Sequence, residues 1–83
     1  MSEHISDLID TVIQTELAYD KDYITNDGWN FLENDAKEQT YNALLKDYDE
    51  DELDTITANN IEPYLSAVIC EYEQTHANIR YYN

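Results

Sequence analysis

The chain has 83 residues and sets 19 acidic side chains against four basic ones, for a net charge of −15 and a pI near 4.1. That length supports one small domain, and Leu, Ile, Val and Phe at about 22% of it lie just above the level where such charge predicts disorder. One Cys excludes an internal disulfide, one Gly and one Pro disfavour a turn-rich sheet, and no apolar run approaches the ~20 residues of a membrane span.

The first predicted element is the clearest. Ile5, Leu8, Ile9, Val12 and Ile13 recur at amphipathic-helix spacing, with Ser2 as a candidate N-cap. Glu3, Asp7 and Asp10 share the opposite face, and Glu16 falls in the middle of the apolar stripe. Either this helix frays before Glu16, or its face is shared with a partner. Residues 20–27, DKDYITND, read as a loop in which Asp27 caps the next helix.

Trp29, Phe31, Leu32 and Ala36 open a second helical pattern, which Tyr41, Leu44, Leu45 and Tyr48 continue. Asp35 and Glu38 have capping-box spacing, and both one helix over 28–48 and two helices broken near Asn34 stay open. The segment KDYDEDELDT follows, and six of the eight residues from Asp47 to Asp54 are carboxylates. Negative charge opposes the dipole at a helix C-terminus, so the helix is expected to end near Asp47, with the run as a loop or a first turn. From Ile61 a stripe through Leu65, Val68, Ile69, Tyr72, His76 and Ile79 predicts a last helix, capped by Asn60 with Pro63 in its first turn. The expectation is an all-α single domain, 1–83, of three to four helices; the alternative is α+β with a short strand near 55–57.

Charge is uneven along this plan. Net charge is −4 in residues 1–18, −4 in 19–40, −5 in 41–54 and only −2 in 55–83, so the last helix is the expected core piece. Ile, Asn and Tyr appear eight times each, as AT-rich coding favours, yet Lys, equally AT-coded, appears three times. The scarcity of lysine reads as selected. It also weighs against a salt-loving source, because such genomes are more often GC-rich.

The acidic run fits no dedicated chemistry. Asp47, Asp49 and Asp51 match positions 1, 3 and 5 of a calcium loop, but Glu52 stands where Gly is needed and Ala58 where the bidentate Glu belongs. Acid–base catalysis by paired carboxylates needs environments that push their pKa values apart, which a solvated run lacks. His76 on the apolar stripe and Cys70 beside Ile69 read as packed residues without an acid–base partner. No glycine-rich loop cradles phosphate, and neither ISDL nor YLSAV matches the Asp-Ser-Leu attachment motif of acyl carrier proteins. No enzyme activity and no cofactor is expected.

What remains is binding by charge. Fifteen charges correspond to roughly 25 Å of duplex DNA, and a globule of this length is roughly 30 Å across. In size, charge and the segment DYDEDELD the chain resembles the nucleic-acid mimics of phages and mobile elements, which occupy the DNA-binding groove of CRISPR effector complexes or restriction enzymes. The likeness is one of style, with no shared motif. It implies that Asp47, Asp49, Glu50, Asp51, Glu52 and Asp54 face the lysines and arginines that grip phosphate in a basic protein or ribonucleoprotein of the host. Asp20, Asp22 and Asp27, or the Glu3, Asp7 and Asp10 face, would supply a second row, with Tyr48 or Tyr23 stacked on an arginine. The lone cysteine fits a reducing cytosol and the lack of a membrane-length apolar run fits no membrane contact, so a cytoplasmic protein is expected, and the likeness implies no direct contact with nucleic acid. The alternative is an antitoxin-like or assembly module that meets a basic protein through an apolar helix face; both monomer and homodimer stay open.

Overall fold

A computed structural model describes residues 3–17, 22–76, 78 and 79. It is all-helical: α1 (Glu3–Val12) runs into a π turn (Ile13–Leu17), followed by α2 (Asn26–Glu33), α3 (Asp35–Asp47), the short α4 (Glu50–Leu53) and α5 (Ala58–Thr75). Among the described residues five helices thus stand where three to four were predicted, because the break at Asn34 and the single turn of α4 each add one. α5 packs against both α3 and α1, and α2 lies on α3. The last helix is the centre of the core, as its low charge suggested, and contributes Ile61, Leu65 and Val68 to it.

The π turn resolves the conflict at Glu16. It adds one residue to the helical repeat, so every later position rotates back by about 100°. Leu17, 5% exposed, takes the place on the apolar stripe that Glu16 would have held, and Glu16 turns out to solvent. The helix does not fray before Glu16, the first of the two expected outcomes.

Caps explain the other boundaries, and several differ from expectation. Thr25, not Asp27, caps α2: its hydroxyl accepts from the Gly28 N–H at 2.9 Å. Asp27 sits instead in the first turn, where its charge suits the helix dipole. At Asn34 the backbone leaves helical geometry (φ −121°, ψ −80°) and divides α2 from α3, while its side-chain amide donates to the Asn30 carbonyl at 2.9 Å beside its own backbone N–H at 3.2 Å. Asp35 lies inside α3, whose N-cap Asn34 makes no side-chain bond, so the expected Asp35–Glu38 box does not form.

No strand forms at 55–57: Thr55 is in a turn, Ile56 is buried, and Thr57 begins a capping box with Asn60. Two threonines and an isoleucine favour a strand only where a partner edge exists, and here the box takes the backbone groups. α5 therefore starts three residues before Ile61, and Pro63 moves to its second turn. The N–H that proline lacks would have met the Asn59 carbonyl, which is left on an exposed residue.

The chain's glycine is placed by a close approach. A Cβ at Gly28 would lie 2.7 Å from the Ile79 carbonyl oxygen and 2.8 Å from the Ile79 Cβ. Its absence lets the fully buried Ile79 return under α2, where the Thr25 N–H donates to the Ile79 carbonyl at 2.8 Å. Ile79 thus joins the core from beyond the end of α5, not as a further turn of its stripe. Ser2 and Asp20 lie outside the described residues.

Candidate interaction surface

The acidic run begins where α3 ends. Asp47 is the last residue of α3, and its Oδ2 accepts from the Tyr64 hydroxyl of α5 at 2.5 Å. That bond, with desolvation and the Asp47 charge behind it, pushes the Tyr64 pKa up to about 12. Tyr48 follows, half-buried and edge-to-face against Tyr64 at 6.2 Å, so it packs within the fold instead of standing free for an arginine. Asp49 and Glu52 form the capping box of α4, with the Asp49 N–H donating to Glu52 Oε1 at 3.2 Å. Leu53, 2% exposed, pins that turn to the core.

The run is therefore the first turn of the next helix, one of its two expected forms. Three of its six carboxylates have local structural partners. Glu50, Asp51 and Asp54 are exposed.

The other predicted residues divide similarly. Glu3, Asp7, Asp22 and Asp27 are exposed, and Tyr23 is the most open aromatic of the described residues at 59%. Asp10 is taken: its Oδ1 lies 2.6 Å from the Lys37 ammonium, the one ion pair among the described residues, joining α1 to α3. The Glu3, Asp7, Asp10 row thus presents two free charges instead of three.

The body measures 43 × 24 × 17 Å with a radius of gyration of 12.7 Å. Along the long axis this gives roughly one net negative charge per 2.9 Å, sparser than a duplex at about 1.7 Å and close to a single strand at about 3.4 Å. The expected match to duplex density assumed a sphere, and the elongation lowers it.

Two residues expected in the core stand outside it. His76 is exposed at the C-cap of α5, where its ring stacks on Tyr72 at 4.6 Å, and Tyr72 stacks on Phe31 at 3.9 Å. The helix ends at Thr75, so the stripe no longer governs residue 76. Cys70 is exposed because α5 buries Ile61, Leu65 and Val68, and Cys70 lies about 200° round the helix from Val68.

Cys70 opens into a groove of about 330 Å³ between the π turn and α5, lined by Val12, Leu17, Leu65, Ile69 and three glutamates, Glu16, Glu62 and Glu73. The Glu62 carboxyl is hydrogen-bonded to Glu16, and with that neighbour's charge its pKa is raised above the ordinary glutamate value. Sequence reasoning singled out Glu16 alone here, from its place on the apolar stripe. Glu62 and Glu73 gave no signal, because their neighbour across the groove depends on the π turn. No protein-family model, characterised protein or solved structure matches the chain.

Proposed function

We propose that the protein is an inhibitor that imitates a nucleic-acid strand and occupies the phosphate-gripping groove of a basic host protein or ribonucleoprotein, a CRISPR effector or restriction enzyme being the type of target. The observation that supports this most is the near absence of internal neutralisation: among the described residues a single ion pair, Lys37–Asp10, stands against a net charge of −15. Such a surface draws a basic groove at long range and steers encounter. Glu50, Asp51 and Asp54 at one turn, Glu3 and Asp7 on α1, and Asp22 and Asp27 before and within α2 supply the free carboxylates. The charge spacing favours a groove that holds one strand over one that holds a duplex.

The experiment is capture from host lysate on the immobilised protein at low salt, followed by challenge of the captured protein with single-stranded and duplex oligonucleotides. Release by the oligonucleotide, with the single strand more effective per nucleotide, is expected. A captured protein that binds the oligonucleotide and the inhibitor together overturns mimicry. The second reading, a module that docks through an apolar helix face, is favoured by the groove beside α5.

A further inference from the structure

The groove between the π turn and α5 differs in construction from a bare acidic surface. Its floor is apolar and closed: Val12, Leu17 and Leu65 are each at most 5% exposed, with Ile69 half-buried beside them. α5 forms one wall with Glu62, Ser66, Ile69, Cys70 and Glu73, which fall on one face at spacings of three, four and one residues. The middle of that wall is small, since Ser66 and Cys70 leave room for a backbone to approach.

Carboxylates stand at both ends, Glu62 with Glu16 at one and Glu73 at the other, roughly 16 Å apart along the helix. Glu73 spends one oxygen on the Ile79 N–H at 3.0 Å. The Glu16–Glu62 contact is a pair of acids held together, and it leaves Glu62 prone to keep its proton. An ammonium or guanidinium placed between the two would meet both carboxylates and relieve their repulsion.

We propose that this groove docks a basic amphipathic segment of the partner protein, with its apolar side chains on the Leu65 and Ile69 floor and a Lys or Arg at each end, on Glu16–Glu62 and on Glu73. The proposal rests on the reading of the chain as a ligand of basic proteins and gives that reading an oriented, partly apolar anchor. A second copy of this chain is a poor occupant, because it brings 19 acids and four bases to a rim that is itself acidic.

Cys70 is the sole cysteine and lies exposed in the groove, so its rate of modification by a maleimide reports occupancy. The probes are a 12-residue helical peptide with leucines along one face and arginines beside them, and an oligo-arginine of equal charge. The amphipathic peptide is expected to slow modification about tenfold at saturation, and the oligo-arginine far less. Glu62→Gln should weaken the peptide about tenfold by fluorescence anisotropy. Ser66→Arg, an exposed position that tolerates the change in the fold, should abolish peptide binding by supplying the cation itself.

Equal protection by both probes, or unchanged labelling with the amphipathic peptide at saturation, overturns the groove proposal. If captured protein is still released by oligonucleotide in that case, strand mimicry survives without it. Protection that grows with protein concentration and no peptide would place a second copy in the groove and overturn it equally.

Discussion

Two regions concentrate carboxylates, and they use them in opposite ways. In 47–54 the acids are dense in sequence, yet Asp47 accepts from Tyr64 while Asp49 and Glu52 close a capping box, so half of them hold the backbone in place. Beside α5, Glu16 and Glu62 are far apart in sequence and meet only in the fold, over an apolar floor with Glu73 at its other end. Density along the chain therefore marks a helix start as much as a surface. Convergence in space, without caps to explain it, is the stronger sign of a docking site.

The largest effect expected concerns the anchor of the run. Leu53→Ala removes a side chain that is 2% exposed and should cost about 2–5 kcal/mol, a large share of a small domain's stability. Chemical denaturation measures it, and a loss below about 1 kcal/mol would mean that α4 is not docked and the run is a free loop between α3 and α5. Next comes the cap. Asp49→Ala should cost about 1 kcal/mol, whereas Asp51→Asn should stay within about 0.5 kcal/mol; the reverse order would return the run to the solvated surface its sequence suggested.

The groove pair gives a smaller effect with a diagnostic sign. Glu62 binds its proton more tightly in the folded state than unfolded. Its contribution to stability is therefore full below the ordinary glutamate value and lost as pH rises through the raised folded value. Glu62→Gln should gain on the parent in thermal midpoint between pH 4 and pH 7, and a gain that instead shrinks over that interval would deny the Glu16–Glu62 contact. The smallest change is spectroscopic. Titrated by ultraviolet absorbance, one tyrosine should ionise near 12. Asp47→Asn should return it toward the ordinary tyrosine range, and Tyr64→Phe should remove it.

The helical class, the first stripe and the core role of the last helix were legible because apolar periodicity reports burial directly. Ile5, Ile9 and Val12, then Ile61, Leu65 and Val68, are buried where their spacing places them. Boundaries were less legible, since the weaker cap formers Thr25 and Thr57 take the positions expected of Asp27 and Asn60, and intrinsic preference alone does not choose among nearby cap formers. Glu16 on the apolar stripe marked a conflict, but the two outcomes expected from it, fraying or a shared face, did not include the π turn. The groove was illegible because it needs the π turn, which leaves Glu16 exposed at the groove rim beside Glu62, and because Cys70 lies on the far side of α5 from its buried stripe.

On the proposed reading, the exposed, unpaired carboxylates are the working part of the molecule. The most direct test of that reading is the affinity for the captured partner measured between 50 and 200 mM salt. A fall on the order of 10³-fold, linear in the logarithm of salt concentration and shallower once Glu50, Asp51 and Asp54 are neutralised, is the result expected of a strand mimic. An affinity that holds constant over that range would contradict it.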